Sequence, residues 1–183
     1  MRLNGYNYSW NGIYYLTVCT QKKSPLLWHN PGASIDRPVM DIRLPDDLHT
    51  IIDNPPLSYI GLAVEKGIQS IHAIYSHVTV DKYIIMPDHI HMIIKLSQDY
   101  NEIDKRKRPS LSTVINQLKG YVTRQIGYSI WQKSFFDHIV RNEVEYAIIC
   151  KYIDNNPKVF GEELLRLTGI SIRKDEDKPI ENP

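Results

Sequence analysis

Apolar residues in this chain recur at every second position in some stretches and at every third or fourth in others. The order of those stretches restricts the fold more than any other feature. Residues 13–20 (Ile-Tyr-Tyr-Leu-Thr-Val-Cys-Thr) are β-branched and aromatic, follow an Asn11-Gly12 turn signal and predict a strand. Across residues 57–75, Ile60, Val64, Ile68, Ile71 and Ile74 keep the period of an amphipathic helix. Residues 76–85 predict a strand, Met86-Pro87-Asp88 breaks it, and residues 89–96 predict its hairpin partner. A helix capped by Ser110 or Ser112 then buries Leu111, Val114, Ile115, Leu118 and Val122 and ends at Gly127. Residues 129–136, with Ile130, Trp131, Phe135 and Phe136, supply a further strand. Asn142 followed by Glu145 opens a last helix whose apolar stripe is Val144, Ile148, Ile149 and Ile153, and which stops before Pro157. Short helices are expected over residues 44–53, within an otherwise loop-like stretch, and over residues 162–167.

Strand, helix, strand, strand, helix, strand is the ferredoxin-like βαββαβ order, an α+β fold. It implies an antiparallel sheet with helices on one face, here followed by an additional C-terminal helix. A chain of 183 residues with 42% hydrophobic content builds one respectable core, so residues 1–170 are expected to form a single domain. Residues 171–183 are charged and Pro-containing, the composition of a disordered tail. The net charge is only +1, so any nucleic-acid surface has to be local; Lys105-Arg106-Lys107-Arg108 is the one dense basic cluster. Cys19 and Cys150 lie far apart in apolar runs, as reduced core cysteines of an intracellular protein would. The chain shows neither a signal peptide nor an apolar span, so a soluble protein without a membrane partner is expected.

Fold order does not assign chemistry. In His89-Ile90-His91 the two imidazoles project from the same face of a strand, where they could share a divalent ion or simply be polar residues of a half-exposed strand. On the last helix, Tyr152 and Asn156 are one turn apart on one face. There the Asn156 amide oxygen could act as a hard third ligand suited to magnesium or manganese, with the Tyr152 hydroxyl as nucleophile. Against this, Tyr152 is one of twelve tyrosines, and Asn156 before Pro157 could merely end a helix.

Four stretches together resemble the REP-associated tyrosine transposases, of the wider HUH single-tyrosine nuclease class. They are Arg2-Leu3-Asn4-Gly5-Tyr6-Asn7-Tyr8 leading into Tyr15-Leu16-Thr17-Val18-Cys19-Thr20; Ile85-Met86-Pro87-Asp88-His89-Ile90-His91; residues 131–142; and Tyr152-Ile153-Asp154-Asn155-Asn156-Pro157. The resemblance implies that His89 and His91 are metal ligands, Asn156 a third ligand and Tyr152 the nucleophile, with His138 in a matching motif as active-site support. Tyr146, about 600° around the helix from Tyr152, is the competing tyrosine. Residues 31–56 match the family least well. The implied activity is cutting and rejoining of single-stranded, hairpin-bearing DNA through a 5′-phosphotyrosine, with magnesium or manganese as cofactor. Lys105, Arg106, Lys107, Arg108, Lys119, Arg124 and Arg141 are the candidate DNA backbone contacts. Two rivals stand beside this reading: a metal-dependent nuclease using activated water, and an inactive hairpin-binding module. The resemblance leaves monomer and homodimer open and implies a cytoplasmic, nucleoid-associated protein.

Overall fold

A computed structural model describes residues 11–28, 57–97 and 109–168, the last eight of these through their backbone only. The elements run β1 (Gly12–Cys19), a 3-10 turn (Gln21–Lys23), α1 (Tyr59–Gln69), the one-turn α2 (Ile71–Ile74), β2 (Val78–Ile85), β3 (His89–Leu96), α3 (Leu111–Ile126), β4 (Phe136–Val140) and α4 (Glu143–Thr168). The strands form one antiparallel sheet in the order β2-β3-β1-β4. β1 therefore lies centrally, directly beside β3, and Thr17 pairs with His91 while Cys19 pairs with His89.

Alternation along the two central strands separates two faces. Tyr14, Leu16 and Val18 of β1 and Ile90, Met92, Ile94 and Leu96 of β3 are buried with Val64 and Ile68 of α1 and Leu111, Val114, Ile115, Leu118 and Val122 of α3. Each large aliphatic side chain so buried contributes about 1.5–3 kcal/mol. Gly67 lets α1 and α3 approach closely: a Cβ there would stand 2.7 Å from Leu118 Cδ1. The Ser110 hydroxyl caps α3 by accepting from Thr113 N, and Gly127 ends it at φ 87°, a left-handed conformation that side chains disfavour. The alternate residues, Tyr15 and Thr17 of β1 and His89, His91 and Lys95 of β3, face the other way, and α4 covers that side through Tyr152, Tyr146 and Asp154. The two crossover helices thus share one face, as the element order predicts, and the last helix lies on the opposite one.

Four local expectations are corrected. The final strand is Phe136–Val140, whereas residues 129–135 form a loop tied to β1 by the isolated Thr20–Trp131 bridge. Trp131 and Ile130 look like strand residues because they are buried in the core from a loop. Second, α4 passes through Pro157 to Thr168, absorbing the separate helix expected over residues 162–167. Proline removes one main-chain bond, and Pro157 sits four residues after Ile153 on the buried side of the helix. Third, Val144 and Ile148 are exposed on α4; Ile153 is buried. Cys19 and Cys150 are free and only partly buried, rather than core residues. The helix expected over residues 44–53, the Lys105–Arg108 cluster, residues 2–10 and the tail 171–183 lie outside the described residues. No helix among the described residues is long and apolar enough to cross a membrane.

Candidate active site

The two histidines are held from behind. His89 Nδ1 lies 2.6 Å from Asp88 Oδ1, and His91 Nδ1 lies 2.7 Å from the Tyr15 hydroxyl and 2.9 Å from Thr17 Oγ1. With Nδ1 engaged, each ring turns its Nε2 inward, and the two Nε2 atoms stand 3.0 Å apart. The turn that launches β3 is itself fixed: Thr20 N and Thr20 Oγ1 each donate to Asp88 O at 2.9 Å, and Leu27 N donates to Pro87 O at 2.9 Å. His91 is buried, and that burial, followed by the adjacent His89, pushes its pKa down to about 4. It is therefore neutral, with a lone pair to offer, at ordinary pH.

This donor pair fits a divalent metal. An ion about 2.1 Å from each of two nitrogens, with the bonds about 90° apart, separates them by about 3.0 Å. Anchoring of the far ring nitrogen by a carboxylate or hydroxyl is how metal-binding imidazoles are usually oriented. Among the described residues no group of three or more His, Cys, Asp and Glu side chains could hold an ion, so a further ligand drawn from those residues would be of another type. Asn156, half-buried on α4, carries a neutral oxygen donor of that kind.

Tyr152 stands over the pair. Its ring meets that of His91 edge-on at 5.4 Å and that of Tyr15 at 6.3 Å, and 52% of the residue is exposed. Tyr15, though close, has its hydroxyl on the Nδ1 side of His91, and burial pushes its pKa up to about 12. Tyr146 is engaged elsewhere: its hydroxyl donates to Asp81, which also pairs with Lys95 at 2.9 Å, and the Lys95 ammonium sits 5.0 Å above the Tyr146 ring. The hydrogen bond to Asp81 raises the Tyr146 pKa. A register shift between Val80 and Lys82 marks a β-bulge, which lets neighbouring residues serve one face. Asp81 reaches Tyr146, while Lys82 pairs with Asp154 at 2.7 Å.

The start of α4 is tied to β4. Asn142 Oδ1 accepts from Glu145 N at 2.8 Å, and Glu145 returns to accept from Arg141 N at 2.7 Å and to meet His138 Nε2 at 2.6 Å. The Arg141 amide, then His138, hold the Glu145 carboxyl below its usual range. His138 thus stands on a helix-anchoring contact rather than against the histidine pair.

The basic residues divide. Arg124 and Arg141 are exposed. Lys119 is buried, its ammonium 2.8 Å from Gln132 O and 3.1 Å from Ser134 O, and burial lowers its pKa. It braces the loop before β4 instead of presenting a charge to solvent. Asp88, Tyr15 and Thr17 escaped sequence reasoning as parts of the site. Asp88 read only as a turn residue, and the hydroxyls depend on cross-strand register, whose one available signal was the alternation of β1.

The family described as "Transposase IS200 like" matches residues 59–156, a span holding His89, His91, Tyr152 and Asn156. A protein of Haemophilus influenzae described as uncharacterized is 24% identical over 183 residues, covering 90% of this chain and 91% of its own. The REP-associated tyrosine transposase of Escherichia coli K12 is 28% identical over 83 residues, 45% of this chain and 46% of its own. Among solved structures, a REP-associated tyrosine transposase bound to a REP hairpin shares the fold, with a TM-score of 0.53 and 16% identity over 97% of this chain and 92% of that one.

Proposed function

This chain belongs to the IS200-like transposase family, and on that premise we propose that it cuts and rejoins single-stranded DNA beside a hairpin, with Tyr152 as the nucleophile. The observation that carries the reading is the placement of the Tyr152 ring 5.4 Å from His91, over two imidazoles whose Nε2 atoms converge. His89, His91 and Asn156 would hold magnesium or manganese. When bound, the ion supplies positive charge to a non-bridging oxygen of the scissile phosphate. Asp88, Tyr15 and Thr17 keep the imidazoles aimed, and α4 keeps Tyr152 on the same side of the sheet.

In the proposed step the Tyr152 oxygen bonds to phosphorus, and the bond from phosphorus to the 3′ oxygen breaks. The phenolic proton passes to solvent, which the half-exposed ring reaches, and the departing 3′ oxygen takes up a proton. The product is a 5′-phosphotyrosine and a free 3′-hydroxyl. One phosphoester replaces another, so a second 3′-hydroxyl reverses the step and joins strands without ATP. A hairpin substrate is proposed from the REP hairpin held by the structure of similar fold. Arg124, Arg141 and the Lys105–Arg108 cluster are proposed to contact the DNA backbone.

Incubation with hairpin oligonucleotides and manganese or magnesium is expected to give a denaturation-resistant protein–DNA adduct, lost in Tyr152→Phe, in His91→Ala and with chelator. Cleavage without an adduct would support attack by activated water, and binding without cleavage an inactive module.

A further inference from the structure

A cleft of about 720 Å³ opens next to the histidine pair, within the roughly 300–1,000 Å³ range of small-ligand sites. Thr17 joins the two: it lines the cleft, and its hydroxyl is 2.9 Å from His91 Nδ1. Asn116 of α3, residues 132–135 and Phe136 at the start of β4 also line it.

The cleft wall is built rather than loose. The buried Lys119 ammonium gathers the carbonyls of Gln132, Ser134 and Lys133 at 2.8, 3.1 and 3.5 Å, and Gln132 N donates to Cys19 O at 3.0 Å. In a trans peptide the N–H points opposite to the carbonyl. With these carbonyls turned to the ammonium, the N–H groups of Lys133 and Ser134 turn away from it, beside the exposed Lys133 side chain. Phe136 is 49% exposed, and its ring meets Tyr15 edge-on at 6.5 Å, so it is held in place with much of its surface in water. A fixed, half-exposed aromatic ring offers a stacking surface to an unpaired base. The amides of Asn116 and Gln132 each carry donors and an acceptor, the equipment for reading a base edge.

We infer that this cleft seats one unpaired nucleotide of the substrate strand adjacent to the scissile phosphate, its base stacked on Phe136 and its edge met by Asn116 and Gln132. The inference rests on the histidine pair being the nicking centre, and its test reads binding alone. Tyr152→Phe protein is irradiated with hairpin oligonucleotides carrying 5-iododeoxyuridine at successive unpaired positions beside the stem, and the cross-linked residue is located by mass spectrometry. One position is expected to cross-link to Phe136. Phe136→Leu should lower that yield roughly tenfold while affinity for the bare hairpin is retained. Asn116→Ala should reduce the preference among the four bases at that position by roughly tenfold. Cross-links that map outside the cleft, no cross-link at any position, or variants with unchanged base preference would overturn it. Failure of wild-type protein to form a tyrosyl adduct would instead contradict the nicking reading and leave the cross-linking result to be judged by itself.

Discussion

His91 is the residue on which the site turns, because burial and its neighbour His89 push its pKa down to about 4 from the ordinary value of 6.5. Between those two values the unfolded chain takes up a proton that the folded chain refuses. Stability should therefore fall as the pH drops from about 6.5 to about 4 and lose nothing more from this group below that. From pH 6.5 to pH 5 the loss is about 1.6 kcal/mol, to be measured by urea unfolding in chelator, and His91→Gln should lack that slope. His89 and His91 were legible as a pair because a strand puts alternate residues on one face. Tyr15, Thr17 and Asp88 were not, since which hydroxyl lies behind which imidazole is decided by the pairing of Thr17 with His91 across strands 74 residues apart in sequence.

On the scale of elements, α4 is the part that sequence periodicity located but turned wrongly. Val144, Ile148, Ile149 and Ile153 all look alike as aliphatic residues at helical spacing, but the sheet covers only part of the helix surface. Ile153 is buried and Ile148 is 63% exposed. Ile153→Ala should cost about 2–5 kcal/mol and Ile148→Ala no more than about 0.5 kcal/mol, by thermal or chemical unfolding. The contact of Glu145 with His138, together with the Asn142 cap, sets where α4 begins and hence where Tyr152 stands, about two turns after Glu145. His138→Ala is expected to lower kcat for strand cleavage roughly tenfold, about 1.4 kcal/mol of transition-state stabilisation, with KM little changed. Equal losses in hairpin affinity would instead place His138 at the DNA.

At the scale of the whole molecule, the sheet has one face given to stability, with α1 and α3 closing the core, and one given to the site, with α4 across the histidines. The element order was legible from periodicity, whereas the side taken by the last helix is a matter of tertiary packing. If one ion joins β3 to α4, binding it stabilises the fold: at a hundred times its Kd, manganese should add about 2.7 kcal/mol. The gain should vanish in His89→Ala and shrink in Asn156→Ala, as thermal unfolding would record. Tyr152, and not Tyr146, is the tyrosine proposed to react. The adduct formed with a hairpin oligonucleotide and manganese, digested and sequenced by mass spectrometry, should carry its phosphodeoxynucleotide on Tyr152; a phosphodeoxynucleotide on Tyr146, or on any other residue, would contradict the account.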